Sequence, residues 1–282
     1  NIWIGTENGL NILSTKNGEW IVTQIHQLLG NSHSLSHNIV HSIIETDEHE
    51  IWVGTNGGGI SVFNLDGSYS RTIKYSPNNA ESYVNKFINS LFKDRMGNIW
   101  IGTVDKGLLK YSKETEQFSH FQFSANNKNS ISSNTIHNIY QDCENNIWVA
   151  TDNGLSIFDA ESIQFERFNY SANNLYSLSS DYIMNFFEDD NGMMWIGTNT
   201  GVNRWDPTMT TFRQFTGKEY PALNSPNITS FSQASSDSIF FSAYNGKIYE
   251  LHVNLDKIVE LELDGFFDNR RVMTLFYDAN YL

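Results

Sequence analysis

The sequence Ile51–Thr55, which reads IWVGT, decides the fold because it recurs along the chain. The other copies are IWIGT at Ile2–Thr6, IWIGT at Ile99–Thr103, IWVAT at Ile147–Thr151, MWIGT at Met194–Thr198 and the divergent IFFSA at Ile239–Ala243. The five tryptophans lie 49, 48, 48 and 47 residues apart, and Phe240 takes the tryptophan position 45 residues after Trp195. A fixed period in this range indicates an array of repeated supersecondary units.

A second recurring stretch, rich in branched and aromatic residues, precedes each copy and predicts a short strand, which we call strand a. These stretches are Val40–Ile44, Ile88–Phe92, Ile136–Tyr140, Ile183–Phe187, Ile228–Ser232 and Val272–Phe276. The polar turns at Asp47–Glu50, Asp94–Asn98, Asp142–Asn146 and Asp189–Met193 join strand a to the IWxGT strand, strand b. Asp, Asn and Gly favour tight turns, so strands a and b form a predicted hairpin.

Two further strands complete each repeat. A glycine-bearing turn, such as NGGG at Asn56–Gly59, follows strand b and leads into strand c, and a polar turn leads to strand d. A longer polar connection, such as SLSSD at Ser177–Asp181, then returns to the next strand a. Four short antiparallel strands, repeated without a helical period, predict an all-β fold, a β-propeller of four-stranded blades. The glycine of IWxGT is expected to lie against the neighbouring blade.

Six repeats fit within residues 1–282, which we interpret as one propeller domain. The first repeat has no strand a of its own, so residues 272–276 are predicted to pair with residues 2–6 and close a six-bladed ring. The alternative is part of a seven-bladed ring. Because the chain begins and ends inside repeats and has no initiating Met, we expect an excerpt of a longer polypeptide.

Composition narrows the function classes. The formal net charge of −14 makes nucleic acid and an anionic membrane surface improbable partners. The single cysteine, Cys143, excludes an intramolecular disulfide and a cysteine-based metal site. No apolar run approaches the roughly 18 residues of a membrane helix. The sequence shows no signal peptide.

The recurring columns I-x-x-I-x-x-D, G-N-I-W-I-G-T, N-G-L and S-L-S-x-N resemble the two-component regulator propeller repeat of bacterial hybrid histidine kinases. The clearest copies are Ile88–Tyr111, Ile136–Phe158 and Ile183–Trp205. The chain departs from the pattern at Ala150, at Phe240 and in LNSPN at Leu223–Asn227. The resemblance implies a periplasmic sensor region that responds to polysaccharide-derived oligosaccharides. It further implies a neighbouring propeller and β-domain, dimerisation, and kinase activity elsewhere in a longer chain.

We predict no catalytic residues, no cofactor and no metal site. The repeated tryptophans are expected to pack between blades, and the turn aspartates, which resemble the Asp-box of sialidases, to staple their turns. The spacing of His33, His37 and His41 crosses a loop rather than following a helix, and there is no HExxH.

The alternative is a secreted propeller enzyme, either a lyase or a glycoside hydrolase. Streptogramin lyases have a similar strand motif ending in Thr-Glu, which only Thr6–Glu7 preserves.

A binding function is therefore expected on the face that the b–c and d–a loops share. The candidate ligand-binding residues are His33, His37, Asn38, Tyr83, Asn85, Lys86, Asp105, Lys106, Asn134, Asp181, Tyr182, Arg270 and Arg271. Their mixture of amides, aromatics and charges suits an oligosaccharide or another small polar ligand. It suits a protein partner equally well.

Overall fold

The structure is a computed structural model that describes residues 1–31, 33–73, 87–208, 210–224, 226–261, 272, 274 and 275. The described residues form antiparallel sheets and contain no helix. We call each sheet a blade and number the blades in chain order. Of the predicted strand at residues 272–276, the structure describes residues 272, 274 and 275.

The strands occur in the predicted order. Strand a is β4 (Val40–Glu45), β8 (Ile88–Lys93), β12 (Ile136–Gln141), β16 (Ile183–Glu188) and β20 (Ile228–Ser235). Strand b is β1 (Ile2–Thr6), β5 (Glu50–Thr55), β9 (Ile99–Thr103), β13 (Ile147–Thr151), β17 (Met194–Thr198) and β21 (Ser238–Ala243). Strand c is β2 (Gly9–Lys16), β6 (Gly59–Asn64), β10 (Leu108–Ser112), β14 (Gly154–Asp159), β18 (Gly201–Asp206) and β22 (Ile248–His252). Strand d is β3 (Glu19–Ile25), β7 (Tyr69–Ile73), β11 (Gln117–Phe121), β15 (Gln164–Phe168), β19 (Thr211–Thr216) and β23 (Lys257–Glu260).

Blades 2 to 6 are four-stranded sheets in the order a-b-c-d, and blade 1 has the three described strands β1–β2–β3. Strand a shifts register by one residue near its start in blades 2, 3, 5 and 6, for example between Ile88 and Ser90. Such a bulge bends the strand and redirects the side chains that follow it. The predicted all-β fold of antiparallel four-stranded repeats is therefore confirmed.

The chain divides into two compact units. One contains Asn1–Phe123 and Asn134–Ile139, and the other contains Ser124–Ser133 and Tyr140–Leu282. In the first unit, Trp52 and Trp100 are buried, and in the second unit Trp148 and Trp195 are buried. Trp52 packs with Ile88, Leu91 and other apolar side chains of blade 3. The strand-b tryptophans are thus core residues, which confirms their predicted packing role.

The glycine of strand b packs against a side chain from strand a of the following blade. A Cβ atom added to Gly54 would lie 2.7 Å from Ile88 Cγ2, and one added to Gly102 would lie 2.7 Å from Ile136 Cγ2. The equivalent distance from Gly5 to Val40 Cγ1 is 2.5 Å. Each distance is too short for carbon–carbon contact, so the blades approach each other only because the side chain is missing. The predicted close approach is confirmed.

The turn between strands a and b is held by a buried carboxylate in three blades. Asp94, Asp142 and Asp189 each accept a hydrogen bond from the indole Nε1 of the tryptophan six residues later, at 2.9, 2.7 and 2.8 Å. The same carboxylates also accept backbone N–H groups of their turns. These aspartates therefore fix their turns, as predicted, and also bind the tryptophan, which was not predicted.

Blade 2 departs from this arrangement, and the prediction for Asp47 was wrong. The residue six positions before Trp52 is Thr46, and Trp52 Nε1 donates instead to Glu50 at 3.3 Å. Asp47 accepts hydrogen bonds from Lys93 at 2.9 Å and from Lys113 at 2.7 Å. It therefore joins the turn of blade 2 to blade 3 rather than stapling its own turn.

Candidate functional site

The d–a loops are held by a repeated serine. Ser34, Ser130 and Ser177 occupy the same position, and each hydroxyl accepts a backbone N–H at the start of its own loop, from Leu28, Ser124 and Ser171. The next residue of each loop is the fully buried Leu35, Ile131 or Leu178. The S-L-S motif therefore encodes a loop anchored by one hydroxyl and one apolar side chain.

The second serine of the motif links the d–a loop to the b–c turn. Ser132 Oγ lies 3.0 Å from Thr151 Oγ1 and 2.9 Å from Ser156 Oγ. Ser36 makes the same contacts with Thr55 and Ser61, and Ser179 makes them with Thr198 and the amide of Asn203. These hydrogen bonds bring the two loop types together, which places them on one face of each blade.

Three predicted site residues belong to this loop scaffold. Asn38, Asn134 and Asp181 each accept a backbone N–H with a side-chain oxygen, from Gln27, Phe123 and Tyr170. Their own carbonyls accept the N–H of a glycine in the b–c turn, namely Gly9, Gly107 and Gly154. Their shared geometry shows a structural role, and ligand contact by any of them stays a prediction.

The other described candidates are dispersed. His37 Nδ1 accepts the N–H of Ile39 at 3.1 Å, and Asp105 forms an ion pair with Lys106 at 3.3 Å. His33 meets Tyr69 edge to face, with ring centroids 5.8 Å apart. Five candidates lie outside the described residues, namely Tyr83, Asn85, Lys86, Arg270 and Arg271.

Asp181 and Tyr182 are brought together in a cavity of about 850 Å³ within the second unit. Its walls come from the d–a loop before blade 5, the b–c turn of blade 5 and the loop that follows β19. Further lining residues are Asp152, Tyr170, Asn199, Thr200, Lys218 and Asn224. Tyr170 and Tyr182 are 44% and 40% exposed. This is the volume range of small-molecule sites, and it offers two aromatic surfaces.

One acceptor beside this cavity has no partner within the described part of the chain. Asn199 Oδ1 is buried and accepts no hydrogen bond there. Asp181 Oδ1 is used by Tyr170 N and by Asn169 Nδ2 at 3.0 Å, which leaves Oδ2 for a further donor. A buried carbonyl oxygen without a donor is unfavourable, so a hydroxyl or amine group placed here would satisfy it.

Sequence reasoning missed Asn199, Tyr170 and Lys218. Asn199 lies in NTG at Asn199–Gly201, one of the glycine-bearing turns that follow strand b, and such a turn predicts a hairpin but no binding site. Lys218 follows Gly217, where an added Cβ would lie 2.4 Å from the carbonyl oxygen of Leu223. That close approach folds the Lys218–Asn224 segment against blade 5, and the departure of LNSPN from the repeat was its only signal.

The histidines show no metal centre. Across the described ranges, no three His, Cys, Asp or Glu side chains are arranged to hold a metal ion. Burial lowers the pKa of His41, with the neighbouring Glu7 opposing that shift and His37 adding to it.

No helix formed by the described residues is long and apolar enough to cross a membrane.

Three segments of the chain, residues 34–57, 82–105 and 177–200, match the family model described as two component regulator propeller. These three segments therefore match the repeat that the sequence resembles. A search of curated protein sequences found no match.

Solved structures share the fold. The extracellular domain of the putative one component system BT4673 from B. thetaiotaomicron is 20% identical and has a TM-score of 0.73, over 99% of this chain and 36% of that chain. The extracellular domain of the putative hybrid two component system BT3049 from the same organism is 20% identical with a TM-score of 0.66, over 83% of this chain and 31% of that chain. The chain thus spans about a third of both, and its blades are those of a β-propeller.

Enzymes share this fold too. Virginiamycin B lyase from Staphylococcus aureus is 14% identical to this chain, with a TM-score of 0.61 over 83% of this chain and 73% of the lyase. Identities this low show the fold alone, because one fold supports many functions.

Proposed function

We propose that this chain is a sensor propeller from the extracytoplasmic part of a hybrid two-component signalling protein, located in the periplasm. The observation that carries the proposal is the match of three repeats to the two component regulator propeller. The fold similarity to extracellular domains of two component systems supports it. A second propeller, a β-domain and a second copy of the chain are the proposed partners.

We place the ligand in the cavity lined by Asp181, Tyr182 and Asn199. A sugar presents hydroxyl groups that donate and accept hydrogen bonds, and apolar ring faces that pack on aromatic side chains. The cavity offers Asp181 Oδ2 as an acceptor, Lys218 as a donor and two partly exposed tyrosines, and Asn199, whose buried Oδ1 has no donor in the described part of the chain, lines it as well. These features favour a polysaccharide-derived oligosaccharide as the ligand.

The proposal is tested by calorimetric titration of the chain with a panel of neutral and acidic oligosaccharides. We expect saturable binding to at least one member. Tyr182→Ala and Asn199→Ala should each weaken that binding about tenfold or more, because each removes a contact that the bound sugar would bury. Tyr176→Ala is the matched control, since Tyr176 is 68% exposed and does not line the cavity.

Two results would contradict this placement. Binding that survives both cavity substitutions would move the site elsewhere on the chain. Absence of binding across the panel, with binding by a longer chain containing the neighbouring domains, would leave this propeller a scaffold.

We further propose that this part of the protein is not catalytic, and the enzyme hypothesis has its own test. An enzyme would need an acid and a base at working distance, from paired carboxylates or from His and a carboxylate. Incubation with polysaccharide fragments and with cyclic depsipeptides, followed by mass spectrometry, should show no turnover. Turnover that depends on Glu7, the residue of the Thr6–Glu7 pair, would establish the lyase alternative.

A further inference from the structure

The d–a loops before blades 4 and 5 are each bound by a side chain from the following strand d. In blade 4, Arg167 Nε donates to the carbonyl of Ser130 at 2.5 Å, and Nη2 donates to the carbonyls of Asn127 at 2.8 Å and Ser124 at 3.3 Å. Arg167 Nη2 also donates to Ser130 Oγ. One guanidinium thus satisfies four oxygens of a single loop.

Blade 5 uses a shorter version of the same contact. Gln214 holds the position of Arg167, because it pairs with Asn203 as Arg167 pairs with Ser156. Its amide donates to the carbonyls of Ser177 at 2.9 Å and Leu178 at 3.3 Å. In blades 4 and 5, therefore, a side chain of strand d donates hydrogen bonds to the carbonyls of the loop.

In blade 2 the same loop meets a shorter side chain on strand d. The matching position on strand d is Thr72, which pairs with Ser61, and its hydroxyl is engaged with Tyr69 at 2.8 Å. Leu28, Asn31 and Ser34 correspond to Ser124, Asn127 and Ser130. All three line a cavity of about 730 Å³, together with Thr72, Tyr69 and His33.

The oxygens of this loop differ from those of blade 4 and resemble those of blade 5, where Ser177 Oγ donates to the carbonyl of Asn174 at 2.8 Å. Ser34 Oγ donates to the carbonyl of Asn31 at 3.0 Å, whereas the equivalent carbonyl of Asn127 accepts from Arg167. The neighbouring Arg71 does not replace the missing donor, since its guanidinium forms a two-bond ion pair with Glu50. That pairing also reduces the repulsion that Arg71 would exert on a second cation.

We propose that the cavity between the Gln27–Ser36 loop and strand β7 is a binding site for a guanidinium group that comes from outside the chain. The carbonyls of Leu28, Asn31 and Ser34 and the hydroxyl of Ser34 accept its N–H groups, as their counterparts accept those of Arg167. A guanidinium fits because its donors lie in a fixed plane, which an ammonium group lacks. The rings of Tyr69 and His33 line the same cavity and favour a delocalised cation.

The test is a titration of the chain with acetyl-arginine amide, followed by heteronuclear NMR. Acetyl-citrulline amide has the same shape without the charge, and acetyl-lysine amide has the charge without the planar fork. We expect saturation by the arginine compound, with shifts confined to residues 27–36 and 69–72. Binding of the citrulline and lysine compounds should be about tenfold weaker or more. Equal binding of all three compounds, or saturation without these shifts, overturns the proposal.

Substitution of Thr72 provides a second test of the guanidinium site. Thr72→Arg should place an internal guanidinium as Arg167 does, abolish binding of acetyl-arginine amide and raise the Tm. Ser119→Arg adds the same charge to the exposed part of β11 and should leave binding unchanged. Thr72→Met, which fills the space without charge, should also abolish binding and replaces Thr72→Arg if that variant does not fold. Undiminished binding by a folded Thr72 variant overturns the proposal.

Comparison of two further probes separates the possible sources of the guanidinium. Methylguanidinium represents a small compound, and acetyl-Gly-Arg-Gly amide represents an arginine side chain of a polypeptide. Tighter binding of the peptide favours an arginine side chain, and equal binding favours a small compound. Failure of both probes to bind overturns the site itself, whatever the oligosaccharide titration shows for the separate cavity at Asp181.

Discussion

In blades 3, 4 and 5, one carboxylate oxygen accepts the indole N–H of the strand-b tryptophan. In blade 5, Asp189 Oδ2 accepts from Trp195 Nε1, while Oδ1 accepts the N–H groups of Asn191 and Met193. Trp195 is fully buried, so its indole N–H has no access to water if this acceptor is lost. The turn and the core of the blade therefore depend on one side chain.

We expect Asp189→Asn to lower the free energy of unfolding by about 1–3 kcal/mol, because an amide group would face donors that need an acceptor. Urea unfolding followed by tryptophan fluorescence measures the loss. Asp190→Asn is the matched control, since Asp190 is exposed and next in sequence. Equal stability of the two variants would show that the carboxylate does not hold the tryptophan.

The strand-b glycine allows a second comparison at the residue scale. Gly102→Ala would bring a methyl group to 2.7 Å from Ile136 Cγ2 and 3.0 Å from its Cβ, so we expect destabilisation of about 1–3 kcal/mol from overpacking. In blade 4 the same position is Ala150, which is fully buried. Ala150→Gly should also destabilise, by about 1 kcal/mol, through lost packing and greater chain entropy. Thermal unfolding of both variants measures these changes, and stabilisation by Gly102→Ala would contradict the steric argument.

At the scale of the elements, Asp47 joins the turn of blade 2 to two segments of blade 3. Hydrogen bonds from Lys113 and Lys93 lower the pKa of Asp47 to about 2. In the unfolded chain an aspartate titrates near pH 4, with a typical pKa of about 3.9. The contact therefore stabilises the fold above about pH 4, and this contribution is lost as the pH falls toward 2.

We expect Asp47→Asn to reduce the urea midpoint at pH 7, with a difference from the unsubstituted chain that shrinks between about pH 4 and pH 2. High salt should shrink the difference at every pH, because these groups are exposed to solvent. Glu161→Gln, at an exposed turn, serves as the control. A difference that does not change with pH would show that the charge of Asp47 is not responsible.

The strands were predictable because their pattern repeats. Trp52, Gly54 and Thr55 have counterparts at fixed spacing, so one periodicity positions every hairpin. The role of Asp47 was not predictable in the same way. In blade 2 the turn reads TDEHE, and its aspartate lies five residues before the tryptophan instead of six. Only the hydrogen bond between Asp94 and Trp100 shows that the spacing of six is required.

The candidate sites depend on interactions that no single repeat contains. Lys218 reaches its cavity because Gly217 folds the following loop back, and that loop departs from the repeat. The short side chain of Thr72 indicates a binding site only when its loop is compared with the loop that Arg167 binds. Sequence reasoning selected the loop face and, on it, Asp181 and Tyr182, which line the cavity of the second unit, and ligand contact by them stays a prediction. It could not separate scaffold oxygens, such as those of Asn38 and Asn134, from oxygens available to a ligand.

At the scale of the whole molecule, closure of the ring stays a prediction. Within the second unit, Leu275 N donates to Ser230 Oγ at 3.0 Å, as Leu91 N donates to Ser42 Oγ at 2.9 Å in the first unit. Leu275 therefore packs on blade 6 as a strand a packs on the blade before it. Ile2 on blade 1 is 53% exposed, whereas its counterpart Ile51 is 3% exposed.

If residues 272–276 complete blade 1, Leu275 should face Ile4, because Leu91 pairs with Ile101 in blade 3. We expect Ile4→Cys combined with Leu275→Cys, in a Cys143→Ser background, to form a disulfide under mild oxidation. Mass spectrometry and non-reducing gels detect the crosslink. Ile4→Cys with Leu255→Cys is the control pair, since Leu255 lies in the turn between strands c and d. A crosslink in neither pair would indicate that another segment covers β1.

The glycine of strand b and the branched residue that begins the next strand a also bear on how such a chain can evolve. Blades 2, 3 and 5 each carry both halves of this joint. The glycine near the end of strand b is Gly54, Gly102 or Gly197, and the branched residue at the start of strand a is Val40, Ile88 or Ile183. A duplicated segment of one repeat would therefore arrive able to join copies of itself on either side. Gain or loss of a blade by tandem duplication or deletion then requires no new interface, and the number of blades can change faster than the sequence of any one of them.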